Sequence, residues 1–307
     1  MARQRRDERP QDPAAKAILK PLREIARVTY HRPEQVWDHF LALAVALYQG
    51  SNRATRDSTM PQELAELPEV RQVETTIRQQ YGDKWEQVAP LFGTAFIALN
   101  DASERFNDVV GSLFIGWVMG DAWHGQFFSP WPISLMLAQM IPVLPLVLER
   151  VREAEAQHPE LALLALGVMQ REGDEARRFF VERLVPAARA FVEPVTVCDP
   201  ACGSGVMLLA AASLLPEWVL AFGFVAFYGI DIDKTCVQMA RVNLLRYGIW
   251  PGGIRHGNAL SLEFFDEPAP PLLPPSGDEL ASDAGDPPAA DLADGKIAEA
   301  DALPMAA

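Results

Sequence analysis

The chain has 307 residues, 49% of them apolar, which suffices for one large domain or two smaller ones with real cores. Its net charge of −14 is uneven: from Leu262 onward there are 11 acidic residues and one lysine (Lys296), so residues 1–261 carry only about −4. That balance excludes a broadly basic, non-specific DNA binder. Three cysteines, Cys198, Cys202 and Cys236, form no CxxC pair and no zinc-like spacing with histidine, so no metal site is expected. Reduced thiols, a polar N-terminus unlike a signal peptide, and apolar stretches broken by Pro142 and Pro145 or by Pro216 and Glu217 lead us to expect a cytoplasmic protein with no membrane partner.

In chain order, residues 1–13 read as a disordered arm whose Arg3, Arg5, Arg6 and Arg9 could touch phosphates or simply be solvated. Residues 14–120 read as a helical N-terminal domain. Pro33 opens a run, Glu34 to Tyr48, with Val36, Trp37, Phe40, Leu41, Leu43 and Ala44 at helical spacing. A polar turn over 49–61 follows, then helical runs at about 62–80, 84–100 and 102–119. Gly120 to Pro132 form a turn before a helix, Ile133 to Met140, with Ser129 as its cap. Residues 143–190 add two or three helices, with Gly167 and Gly173 as breaks.

At Pro194 the character changes. A strand over 195–198, a helix over about 204–214, a continuously apolar strand near 224–230, a helix over 233–246 and a weak strand near 253–256 make a β-α-β-α-β beginning. The fold class is therefore α/β, with a partial parallel sheet in residues 121–262. Residues 263–307 read as a disordered acidic tail. From Asp266 on there is no aromatic residue, and such a segment cannot bury enough apolar area to offset its ordering entropy.

Chemistry concentrates in Val197-Cys-Asp-Pro-Ala-Cys-Gly-Ser-Gly-Val206, a strand end, a glycine turn and a helix start. Gly203 and Gly205 allow unusual backbone angles and let a ligand lie against bare backbone. Asp231, at the end of the second strand, is placed either to accept ribose hydroxyls or to serve as a turn residue, and Asp233 fits the N-cap of the next helix. Asn258, after the third strand, can meet an adenine amino group through its amide oxygen, or can be a plain turn residue. Upstream, Gly125-Gln-Phe-Phe-Ser-Pro-Trp-Pro132 reads alone as an aromatic turn.

Taken together and in this order, these motifs resemble the N6-adenine DNA methyltransferases, most closely the modification subunits of type I restriction systems. Those carry Gly-x-Phe-Tyr-Thr-Pro before Asp-Pro-Ala-Cys-Gly-Ser-Gly. Gly125, Phe127, Phe128, Ser129 and Pro130 match the first with two changes, Asp199 to Gly205 match the second fully, and Gly229 with Asp231 match the next element. Asn243-Leu-Leu and Tyr247-Gly-Ile are also similar. The resemblance implies a Rossmann-like sheet that binds S-adenosyl-L-methionine (SAM), with DNA as substrate. It places Phe127, Phe128, Ser129, Pro130, Asp199, Ala201 and Gly203 at the methionine end of SAM, and counts Gly205 among the cofactor-binding residues. Asp231 would hold the ribose, Ile232 would pack on adenine, and Asn258 would meet the adenine amino group. The family usually has Asp at this last position.

The family's catalytic Asn/Asp-Pro-Pro-Tyr/Phe, which grips the target adenine, has no good match. The nearest, Asp286-Pro-Pro-Ala289, lacks the aromatic and follows no apolar strand. In the family's sheet a fourth strand flanks the first, so here that edge is expected to be open, as in a truncated gene product, covered by the helices of 143–190, or completed by a second polypeptide. The chain then reads as an adenine-specific DNA methyltransferase with a partner or specificity subunit, as half of a split enzyme, or as a SAM-binding interaction module without catalysis. Catalytic residues are unassigned.

Overall fold

A computed structural model describes residues 13–56, 59–102, 106–119, 129–250 and 253–265. The chain divides into units 1–274 and 275–307, and every described residue belongs to the first. The basic arm up to residue 12, Phe127, Phe128, Asp286-Pro-Pro-Ala289 and the acidic tail beyond 265 lie outside the described residues.

The N-terminal segment is helical, as the periodicity predicts: α1 (Pro13–Thr29), α2 (Pro33–Arg56), α3 (Pro68–Tyr81) and α4 (Trp85–Asp101). Proline opens α2 and α3, where its missing N–H costs nothing. The run expected at 102–119 starts later. Its α5 starts at Val109, where Asp108 caps it by accepting the Gly111 amide at 2.8 Å, spans Val109–Leu113 and continues as a π-helical stretch, Phe114–Met119.

Then come α6 (Trp131–Gln139), α7 (Val143–Gln157), α8 (Glu160–Met169), α9 (Gly173–Phe179) and α10 (Val185–Phe191), with a π-helical stretch at Phe180–Leu184. Gly173, at φ +55°, does begin a helix, whereas Gly167 lies inside α8 and breaks nothing. The cap of α6 is Pro130, not Ser129, and it satisfies the first turn through its carbonyl, which accepts from Ile133 and Ser134 amides. No single described helix is long and apolar enough to cross a membrane, and α6 and α7 meet at a 42° bend.

The α/β part comprises β1 (Val195–Asp199), α11 (Val206–Ser213), α12 (Glu217–Phe222), β2 (Val225–Asp231), α13 (Lys234–Leu245), β3 (Gly253–Asn258) and β4 (Glu263–Phe264). The sheet order is β1-β2-β3-β4. The first three strands are parallel, with Asp199 level with Gly229 and Asp231 level with His256. β4 is antiparallel to β3, so the sheet is mixed. Glu263 and Phe264 were expected in the tail. They pair instead because the Arg255 guanidinium lies 3.9 Å over the Phe264 ring and the Phe265 amide donates to His256 O at 2.8 Å.

Helix α13 joins two cores. Cys236, Met239, Val242 and Leu245 pack with Leu22, Trp37, Phe40 and Leu99 of the N-terminal helices, while Val237, Ala240 and Leu244 pack with Leu208, Phe227 and Ile254 around the sheet. The two sets recur at helical spacing on different sides of one helix. β2, with neighbours on both edges, is mostly buried. β1 is outermost, with Thr196 and Cys198 exposed and Val195 and Val197 packed in the cluster that holds Val147 of α7. Among the described residues no strand pairs with the outer edge of β1.

Candidate functional site

The parallel strands bring Asp199, Asp231 and Asn258 to one edge of the sheet, at the carboxyl ends of β1, β2 and β3. In open α/β sheets this edge is where ligands bind. The turn after β1 crosses toward β2. Cys202 N donates to Ile230 O at 2.9 Å, and Gly203 N donates to the Asp231 carboxylate at 2.8 Å. Gly203 (φ +53°) and Gly205 (φ +77°) both sit in the left-handed region. Gly205 is also crowded, because a Cβ there would lie 3.0 Å from Ala240 Cβ and 3.1 Å from its Cα. Glycine thus serves both turn geometry and the close approach of α11 to α13.

The carboxylates are arranged differently. One Asp199 oxygen accepts from Ala201 N at 3.1 Å, closing a small side-chain turn, and Ala201 itself is exposed. Burial raises the Asp199 pKa above its ordinary value and the nearby Asp231 charge raises it further, against the Ala201 hydrogen bond. Asp231 uses one oxygen for Gly203 and the other for the Asp233 amide at 2.9 Å, leaving further lone pairs on each. Asp233 caps α13 as the sequence predicts, accepting from Thr235 and Cys236 amides. Ile232 is 65% exposed beside it. Asn258 has turned its amide oxygen to the backbone, accepting from Leu260 N at 2.9 Å and Ser261 N at 3.4 Å. That is the turn role the sequence left open.

Ser129 and Pro130 are exposed at the start of α6, and α6 packs against α11, the helix that leaves the glycine turn. Cys202 and Cys236 are buried, and burial raises both thiol pKa values, with the Asp231 charge adding to it. They are therefore inert thiols and not nucleophiles. No cluster of three metal-ligating side chains occurs among the described residues.

Two elements were missed by sequence reasoning. His256, level with Asp231, places Nε2 3.1 Å from Ile232 O, and its strand gave no signal beyond weak β character. Behind the glycine turn, Asp108 accepts from the Ser204 hydroxyl at 2.5 Å and from Asn243 Nδ2 at 2.7 Å, and the same Asn243 nitrogen also donates to Ser204 O at 2.8 Å. Asp108-x-x-Gly111 is a legible capping pattern, but its reach to Ser204 is not. An open groove of about 860 Å³, lined by Arg71, Glu74, Arg78 and Trp85 among others, lies on the N-terminal helices and shares no residue with the strand ends.

The family model of the N-6 DNA Methylases matches residues 175–270, the stretch that contains all three strand ends and the glycine turn. No curated protein and no solved structure matches the chain.

Proposed function

We propose, from the similarity of residues 175–270 to the N-6 DNA Methylase family model, that this protein holds SAM at the carboxyl ends of β1, β2 and β3 and takes part in adenine-specific methylation of DNA in a cytoplasmic restriction-modification system. The observation that carries this reading is the bond from Gly203 N to Asp231, which sets the glycine turn and the acidic strand end side by side.

The residues suit the cofactor. SAM is cationic at sulfur, and Asp199 lies beside a second carboxylate whose charge already opposes its own. Asp199, Ala201, Gly203 and Gly205 would border the methionine end, with Ser129 and Pro130 arriving on α6. The spare lone pairs of Asp231 would take the ribose hydroxyls, and the exposed Ile232 would lie on the adenine. Asn258 would offer its remaining amide capacity to the adenine edge. Bound SAM supplies the electrophilic methyl group; the chain supplies position and a negative environment.

A second reading, half of a split methyltransferase, is favoured by β1 being the outermost strand among the described residues. In it a second polypeptide pairs with that edge and brings the Asn/Asp-Pro-Pro-Tyr/Phe element, and a specificity subunit reads the DNA. The adjacent gene would then encode Asn-Pro-Pro-Phe after an apolar strand. The test is titration calorimetry with SAM, followed by transfer of labelled methyl groups to DNA. SAM binding with transfer only in the presence of the neighbouring gene product supports the split enzyme. Binding without transfer in either case leaves a non-catalytic SAM-binding module, and absence of binding overturns the cofactor assignment.

A further inference from the structure

The glycine turn is held from two sides. Asp231 holds it from the strand end, and Asp108 holds it from behind, although Asp108 lies outside the stretch matched to the family. We propose that Asp108 is a positioning residue for the cofactor turn, so that the N-terminal helical segment completes a site whose signature lies wholly within the later sequence. The proposal rests on the reading of that turn as the SAM cradle.

Three observations carry it. First, Asp108 ties Ser204 twice: it accepts the Ser204 hydroxyl directly at 2.5 Å, and it accepts Asn243 Nδ2, which also donates to Ser204 O at 2.8 Å. Ser204 is the residue between the two left-handed glycines, so fixing its side chain and its carbonyl fixes the turn. Second, Gly111 is bare where Asp108 and Ser204 meet. A Cβ there would collide with the Asp108 carboxylate and lie 2.7 Å from Ser204 Oγ. Third, Ser204 and Asn243 are fully buried, and the Asn243 amide is approached by Arg246 Nη1 at 3.5 Å. Apolar side chains could pack such a space more cheaply. A connected polar cluster there specifies one geometry.

Asp108→Ala removes the acceptor of Ser204 Oγ and leaves buried donors without it. Asp108→Asn keeps Oδ1 for Gly111 and Asn243 and turns an amide N–H toward Ser204 Oγ, which can accept. The experiment uses the full chain and two readouts. One is hydrogen exchange of the peptide spanning residues 199–209 without ligand; the other is the SAM dissociation constant by calorimetry. For Asp108→Ala we expect faster exchange confined to this peptide and to α5, and SAM affinity weaker by about tenfold or more. Asp108→Asn should restore both to within about threefold of wild type. A turn that exchanges no faster in Asp108→Ala, or a failure of Asp108→Asn to restore it, overturns the proposal. If Asp108→Ala does not fold, Ser204→Ala, which removes the hydroxyl alone, must show the same local loosening, and wild-type exchange there overturns the proposal equally. Should wild type bind no SAM, the cofactor reading fails by itself, and the exchange measurement still decides whether Asp108 positions the turn.

Discussion

The carboxylate of Asp231 accepts the amide hydrogen of Gly203 at 2.8 Å, so the end of the second strand fixes the turn that follows the first. These residues are 28 apart in sequence. The bond makes the acidic strand end a structural part of the glycine turn before any ligand is considered.

Asp231→Ala should therefore lower stability and SAM affinity together. It leaves Gly203 and Asp233 amides without their acceptor, at a cost of about 1–3 kcal/mol at this half-buried site. Asp231→Asn, which retains one acceptor oxygen, should cost less in stability. Urea unfolding beside SAM calorimetry checks both, and equal urea midpoints for wild type and Asp231→Ala would contradict the expectation.

Gly205→Ala and Gly248→Ala form a matched pair. Both glycines have positive φ, +77° and +68°. At Gly205 an added methyl also meets Ala240 backbone at 3.1 Å, whereas at Gly248 nothing lies within 4 Å. Gly248→Ala should cost about 1 kcal/mol from backbone strain alone, and Gly205→Ala about 2–4 kcal/mol because α11 must move off α13. Denaturant midpoints that rank the two in the opposite order would refute the crowding argument.

SAM affinity should fall in acid through Asp199. Its pKa in the free protein is raised by burial and then by Asp231, and a bound cation favours the carboxylate and lowers it. Affinity is thus level above the free-protein pKa and declines as pH falls through it toward the lower value of the complex. Asp199→Asn should bind more weakly at neutral pH and lose this pH dependence, which calorimetry across the acid range measures.

His39 gives the fold an acid sensitivity of its own. Burial, then the charge of His31, holds its pKa below the ordinary 6.5, and its Nδ1 lies 2.9 Å from Tyr81 Oη. A histidine with a lowered folded pKa contributes stability that is fully present above 6.5 and lost as pH falls through the folded value. Wild type should therefore lose more melting temperature than His39→Gln between about pH 7 and pH 5. Parallel melting curves for the two proteins over that range would show that His39 carries no such linkage.

Much of this architecture was readable from local pattern. The apolar run at 224–230 is mostly buried, as suits a central strand, and Asp233 caps the helix it precedes. The three strand ends followed from the glycine turn and the two later polar residues. What escaped notice depends on partners far away in sequence. Asp108 meets Ser204 and Asn243 across 96 and 135 residues, and no periodicity in 102–119 marks that reach. The helix expected from about 102 begins at Val109 instead, after a polar stretch that ends in the Asp108 cap. Asn258 shows the opposite difficulty: its amide suits two partners, and only the placement of Leu260 and Ser261 decides which one it meets in the free chain.

Helix α13 sets a limit on how the molecule can be divided. Cutting out residues 175–270 as a unit would keep the face of α13 that carries Val237, Ala240 and Leu244 covered, and would strip the cover from Cys236, Met239, Val242 and Leu245. The excised piece would meet water with a continuous oily stripe and would clump before it could be assayed. The matched stretch is therefore only part of the packed unit, which also takes in the N-terminal helices.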